Sequence, residues 1–232
     1  SPDDATGTLL QEGAFYRGII KGKSASIAAI SFLENEIVGV LSTQEEGNII
    51  IGKPQVIDGI SESQSPHMLY YESDLNIQSP FTCGVPDINP SLVSIPLSNE
   101  SSSTITAKRC KKIRVYLECD YNLYTRKNNS KPSVESYITS VFNVVKTLYF
   151  NDQINVEISQ IFVWTTQDSY LHSTLPAIIY DYAAKRNKNF NGDLAQLIST
   201  VPPQQQGGIA FLDGLCREYG DGSGRSPHSF AF

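Results

Sequence analysis

Cys83-Gly84-Val85-Pro86-Asp87 is the run in this 232-residue sequence best suited to chemistry. A cysteine followed by glycine and proline, with an acid behind it, can present one thiolate sulfur to a metal. Thiolate is a strong zinc ligand, and it can take the coordination position that a catalytic zinc otherwise keeps for water. The histidines and glutamate of an H-E-x-x-H pair, which would hold such a zinc, occur nowhere in the sequence. The plain alternative is that Cys83 is a loop thiol or half-cystine in a proline-containing turn. Without a metal to depress its pKa it is then an ordinary exposed thiol.

Other chemistry-bearing residues are dispersed. His67, His172 and His228 have no i, i+4 relation to one another, and each is expected at the surface or in a hydrogen bond. No G-x-S-x-G is present, and Gly207-Gly208 is not followed by the G-K-[ST] of a phosphate loop. Asp221-Gly222-Ser223-Gly224 reads as a flexible loop. Glu118 and Asp120 flank Cys119 and could form an acid pair. On one strand face they are expected as solvated or loop-anchoring charges.

Composition narrows the class. The formal charge is -6, from 18 Lys+Arg against 24 Asp+Glu, which argues against nucleic acid or anionic membrane as the main partner. Apolar runs of the ~18 residues that a membrane span needs are absent. The sequence starts at Ser1 with no n-region or h-region, so a signal peptide was either removed or lies outside these residues. Cys83, Cys110, Cys119 and Cys216 are too sparse for a disulfide scaffold and form no C-x-x-C. Cys110 and Cys119, nine apart around a strand, are expected on opposite faces and not bonded to each other. Asn99-Glu100-Ser101 and Asn128-Asn129-Ser130 are acceptor sequons. Few charges and many Ser, Thr, Asn, Gln and Tyr fit a secreted protein.

The elements that must position these residues fall into two halves. Segments 14–20, 26–32, 36–41 and 48–51 are short, rich in β-branched and aromatic residues, and separated by Gly, Lys and Asn, which predicts a β-meander. From Asp58 to Ser103 the composition turns to Ser, Pro, Asn and Gln without period, as in a loop or linker. The run 98–106 is the expected domain boundary and an exposed cutting site. Beyond it, Ile113, Val115, Leu117 and Cys119 alternate with Arg114, Tyr116, Glu118 and Asp120 as a strand. Val134, Ile138, Val141, Phe142, Val145, Leu148 and Tyr149 share a helical face, with Ser133 as the expected N-cap and Glu135 in the first turn. Ile154, Val156, Ile158, Phe162 and Trp164 alternate as a second strand. Leu175, Ile178, Ile179 and Tyr182 predict a second helix, with Thr174 as cap, Pro176 in the first turn and Lys185-Arg186 at the end. Segment 207–212 is expected as the third strand. Strand–helix–strand–helix–strand gives a mixed α/β sheet, an α+β class overall.

The order of these pieces resembles the amino-terminal part of the catalytic domain of reprolysin or adamalysin-type metzincins. The segments that carry the resemblance are Arg114-Val115-Tyr116-Leu117-Glu118-Cys119-Asp120-Tyr121, Ile161-Phe162-Val163-Trp164, Gly192-Asp193-Leu194-Ala195-Gln196-Leu197-Ile198-Ser199, and Gly208-Ile209-Ala210-Phe211-Leu212-Asp213-Gly214-Leu215-Cys216. Upstream, Phe15-Tyr16-Arg17-Gly18, Ser26-Ile27-Ala28-Ala29-Ile30-Ser31 and His67-Met68-Leu69-Tyr70 are similar to the last part of a reprolysin propeptide. Cys83-Gly84-Val85-Pro86-Asp87 is similar to the cysteine-switch segment of matrix metalloproteinase propeptides.

That resemblance implies a secreted or cell-surface, zymogen-type zinc metalloendopeptidase. In the complete enzyme zinc polarises the scissile carbonyl and activates water, with a glutamate as general base. Residues 1–57 would be a β-rich propeptide part, 58–107 the linker with Cys83 as latency ligand to that zinc, and 108–232 the first part of the catalytic domain. Propeptide and catalytic domain would contact one another. Gly208, Ile209, Ala210, Phe211 and Leu212 would form the edge strand along which a polypeptide substrate aligns, or a merely structural edge. Cys216 usually pairs in the family with a cysteine beyond the zinc helix. Asp193 matches a residue that can contribute to a calcium site, but the accompanying acid falls near Arg114, so calcium is not expected there. The family's next element, H-E-x-x-H-x-x-G-x-x-H, would begin where the sequence ends, so these residues alone are expected to be inactive and zinc-free. The rival is a non-catalytic secreted module of the same fold that binds a peptide or protein. An unrelated α/β domain fused to a β-meander is a third possibility.

Overall fold

The computed structural model describes residues 13–53, 65–76, 82–83, 112–187, 189–200 and 207–211. Its amino-terminal part is the expected meander. β1 (Ala14–Ile20), β2 (Lys23–Phe32), β3 (Ile37–Thr43), β4 (Gly47–Gly52) and β5 (Met68–Tyr71) lie side by side in that order, each antiparallel to the next. The first two-residue connection is tight enough to need a left-handed residue, and Gly22 supplies it at φ 84°. β5 lies in the stretch that composition marks as linker. It pairs Ile50 with Tyr70 and is followed by one 3-10 turn, Glu72–Asp74. A four-residue strand among Ser and Pro neighbours is too short to show a period.

The second part is a parallel sheet with helices on both faces. β7 (Ile113–Cys119) is its middle strand, with β8 (Val156–Val163) on one side and β9 (Leu194–Ile198) on the other. Between them run α1 (Tyr121–Arg126), α2 (Lys131–Asn151) and α3 (Leu175–Arg186). The period-two pattern of β7 suggested one solvated face, and the structure corrects this: 115–119 are all buried. Val115, Leu117 and Cys119 face α1 and α2, packing with Leu123, Val134, Ile138 and Phe142. Tyr116 faces the other way, into a cluster with Ile178, Ile179, Tyr182 and Leu197. A parallel strand between two helical layers has no solvent side.

Local signals were mostly sound. Thr174 caps α3 through Ala177 N at 3.2 Å, with a proline in the first turn. α2 starts one turn earlier than expected: its cap is Ser130, whose Oγ accepts from Ser133 N at 3.3 Å. Pro132 suits the first turn, where an N–H would be unpaired anyway. Val141, Leu148 and Tyr149 of α2 are exposed, so its apolar face is narrower than the spacing implied. Ile154 precedes β8 and Trp164 follows it.

The third strand is the main correction. It is β9, not 207–212, that completes the parallel sheet. Within 207–211 only β10 (Gly207–Gly208) is a strand, and it pairs separately with β6 (Thr82–Cys83). Leu212 lies outside the described residues.

Candidate functional site

Two short main-chain segments, far apart in sequence, meet at β6 and β10. They run parallel, with Thr82 opposite Gly207 and Cys83 opposite Gly208. Gly207 has φ 156°. Immediately after β10 the chain turns inward: Ile209 and Phe211 pack against the α3-side core, with the Phe211 ring 5.3 Å from that of Tyr180. The cysteine segment therefore lies against the start of the stretch expected to align a peptide. Residues 84–87, Cys110, Cys216 and His228 lie outside the described residues.

Glu118 and Asp120 are not a solvated acid pair. Both are fully buried, and they point to different partners. Glu118 Oε1 accepts from Trp164 Nε1 and Tyr170 Oη, each at 2.6 Å, and the carboxylate receives Arg186 Nε and Nη2 at 2.7 Å each. The geometry is a bidentate ion pair with two further donors, enough to offset the cost of burying a charge. The ion pair in turn holds the guanidinium pKa above its usual range despite burial.

Asp120 is the N-cap of α1, accepting from Leu123 N at 2.7 Å through Oδ1. Its Oδ2 accepts from Ser199 Oγ, which ties the end of β9 to the end of β7. Asp168, in the loop after β8, accepts from Tyr121 N at 3.1 Å and Tyr170 N at 3.1 Å, and meets His172 Nε2 at 2.8 Å. Asp120, Asp168 and His172 offer ligand atoms all within 4.8 Å of one another. Burial pushes the Asp120 carboxyl up. Burial also acts to raise Asp168, but hydrogen bonds from His172, Tyr121 and Tyr170 outweigh it and hold that carboxyl low. The hydrogen bond to Asp168 raises His172.

This cluster escaped the sequence reading. Asp168 and His172 are four apart and visible as a pair, but only the fold brings Asp120 to them. His67, the other described histidine, accepts from Ile37 N at 2.8 Å and so ties the β5 approach to β3. Asp193 is engaged by Arg114: its Oδ2 accepts from Arg114 N at 2.7 Å, and its own N–H donates to Arg114 O at 2.7 Å. Cys119 is a buried free thiol whose pKa burial raises, an inert core residue rather than a nucleophile.

Residues 111–229, just over half of the chain, match the Reprolysin (M12B) family zinc metalloprotease. The chain belongs to this family. Reprolysins are zinc-dependent proteases that act on polypeptides and are typically secreted or membrane-anchored. No helix among the described residues is long and apolar enough to cross a membrane.

The matched span runs from the lead-in of β7 through β10, and leaves the five-stranded sheet and Cys83 outside it. The family's zinc does not fit the Asp120–Asp168–His172 cluster. All four carboxylate oxygens already accept hydrogen bonds, two of them from backbone N–H groups of α1, and His172 Nε2 is committed to Asp168. The cluster joins the β7, β8 and β9 ends to α1 and is not a reprolysin zinc site.

Proposed function

We propose that this reprolysin chain belongs to a latent zinc metalloendopeptidase in which Cys83 and its flanking main chain occupy the substrate cleft. Residues 1–57 act as the β-rich part of a propeptide, 58–107 as the connecting segment that carries the latency cysteine, and 108–232 as the first part of the catalytic domain. The observation that carries this reading is the β6–β10 pairing, which lies outside the sheet core and joins the Cys83 main chain to Gly208.

A peptide that adds to a strand edge is held by main-chain hydrogen bonds and so needs little sequence identity. Residues 207–212 are the substrate-aligning segment in this reading, and β6 and a polypeptide substrate compete for the same edge. Cys83 would supply its sulfur to the zinc of the complete enzyme, whose histidines are not among these 232 residues. Calcium is not expected at Asp193, where Oδ2 accepts from Arg114 N and a basic residue stands in place of the accompanying acid. The route is secretory, and the exposed Asn128, two residues before the Ser130 cap, is a glycan acceptor.

The test uses a product that includes the family's zinc helix. Uncleaved wild type is expected to be silent on a polypeptide substrate, and uncleaved Cys83→Ala is expected to hydrolyse it. Equal silence in both, with zinc bound one to one, overturns the role of Cys83 and leaves the protease reading. Equal silence without zinc favours the non-catalytic binding module. The 232 residues alone are expected to show neither chelator-sensitive hydrolysis nor stoichiometric zinc.

A further inference from the structure

The meander holds its two outer strands unequally. β1 and β2 are backed by α2, where Asn143 donates through Nδ2 to Tyr16 O and Ile30 O at 3.4 Å and to Ser31 Oγ at 3.2 Å. β5 lies at the opposite edge and is four residues long. Its Met68, Leu69 and Tyr71 are exposed, and a cavity of about 320 Å³ opens beside it, lined by Met68, Tyr70 and Leu75 among others. Little apolar burial therefore keeps β5 on the sheet, and single hydrogen bonds count for more there.

One of those bonds comes from a histidine side chain. Leu33 N donates to Glu36 O at 2.8 Å, which makes 33 and 36 a hydrogen-bonded pair at the end of the β2–β3 hairpin. In the antiparallel alternation the next pair, Phe32 and Ile37, is then not hydrogen-bonded, and Ile37 N–H faces the β4 side. Continuing the β3–β4 register, in which Gly39 lies opposite Ile51, would offer it Lys53, but β4 ends at Gly52. His67 fills that place. It stands one residue before Met68, the partner of Gly52, and its Nε2 accepts from Ile37 N at 2.8 Å. A backbone N–H can only donate, so Nε2 must be the bare nitrogen and the ring neutral. The charged side chains on the elements that meet there are Glu34 and Glu36 of the β2–β3 turn, Lys53 after β4, and Glu72 and Asp74 after β5. Lys53 and Asp74 line the cavity beside Met68, and Glu72 Oε2 accepts from Asn48 Nδ2 at 2.7 Å. Of these side-chain types only an imidazole changes charge between pH ~5 and ~8.

We infer that His67 is an acid-operated latch: its neutral ring pins the start of β5 to β3 across the end of β4, and protonation releases β5 from the sheet. An imidazolium has no lone pair for Ile37 N–H and sets a second N–H against it. The edge of the sheet then retreats to β4 and its Ile49-Ile50-Ile51 run. His172 answers acid in the opposite sense, because Asp168 favours its charged form. The two histidines are therefore separable by sign. The latch concerns the meander alone and does not depend on the role given to Cys83.

The experiment is amide hydrogen exchange on the full chain at pH ~7.5 and ~5.5, on either side of the imidazole range, with each rate corrected for intrinsic exchange. The amides of Ile37 and of Met68–Tyr71 are expected to lose protection by roughly threefold to tenfold at the lower pH, the scale of one neutral hydrogen bond. Those of β7 and β9 should keep theirs. His67→Gln offers a carbonyl oxygen that does not titrate, and His67→Ala offers no acceptor. His67 is exposed, so both variants are expected to fold, and neither should show a difference between the two pH values. Nitrogen NMR of the wild-type ring should find Nε2 unprotonated at the higher pH. Equal wild-type protection at both pH values overturns the inference. So does a loss in His67→Gln that matches wild type, or a ring protonated on Nε2 at the higher pH.

Discussion

Arg186, the last residue of α3, reaches Glu118 at the middle of the parallel sheet with two nitrogens at 2.7 Å. The carboxylate is fully buried, and the ion pair spans the sheet and one helical layer. Arg186→Ala leaves an uncompensated charge in the core, and we expect a loss of about 3–5 kcal/mol in denaturant unfolding. Arg186→Lys should recover part of that, because an ammonium cannot match both oxygens. A loss below ~1 kcal/mol for the alanine variant would mean that Trp164 and Tyr170 suffice.

Asp120 separates capping from charge. Asp120→Ala removes the acceptor for Leu123 N and is expected to cost about 1–2 kcal/mol. Asp120→Asn keeps that acceptor and removes an ionised group that burial disfavours. It should therefore stay within about 1 kcal/mol of wild type at neutral pH. Thermal melts of both variants at one pH decide the point.

The Asp168–His172 pair gives stability a pH signature. The folded-state pKa of His172 is raised above its ordinary 6.5, so its contribution is whole below that value and is lost as pH rises through the folded pKa. Asp168 is lowered from 3.8, so its contribution is whole above that value and is lost as pH falls through the folded pKa. Unfolding free energy measured against pH should fall on the alkaline side of the histidine pKa. His172→Gln should flatten that limb and also shrink the acid one, because His172 makes the leading contribution to the lowered pKa of Asp168. An unchanged alkaline limb in the variant would assign it to other groups.

Gly192 sits where Arg114 and Asp193 exchange backbone and side-chain bonds. A Cβ there would lie 2.9 Å from Arg114 O and 3.0 Å from Ser159 Oγ. The backbone oxygen cannot move without disturbing the β7–β9 pairing. Gly192→Ala is expected to destabilise by about 1–3 kcal/mol, the range for overpacking. Hydrogen exchange should show the loss first at β9.

Sequence patterns recovered what is local. The meander strands show through their β-branched runs and turn residues, and α3 through Thr174 and the following proline. What they missed depends on partners distant in the chain. β9 is five residues long, and its alternation becomes meaningful only beside β7, some 80 residues upstream. Ser133 looked like the cap of α2 because the apolar period starts at Val134, yet the helix begins at Lys131, where burial has not yet set in. Glu118 and Asp120 were expected as solvated or loop-anchoring charges; Asp120 does anchor the start of α1, but neither is solvated, because alternation cannot distinguish a one-sided strand from one covered on both faces. Of the expected site, Cys83 and Gly208 are brought together by main chain alone, which no side-chain motif encodes.

The two sheets differ in when they can form. Every pairing of the meander joins strands adjacent in sequence, and all but the β4–β5 pairing, between Gly52 and Met68, close short loops. β7, by contrast, must wait for β8 across α2 and for β9 across α3. On a growing chain the meander is complete once Tyr71 has emerged, long before residue 198 makes the parallel sheet whole. When α2 is synthesised, the first folded surface it meets is therefore the amino-terminal sheet, with Tyr16 O and Ile30 O already positioned for Asn143. An α2 docked there would be covered on one face while β8 and β9 have still to be made.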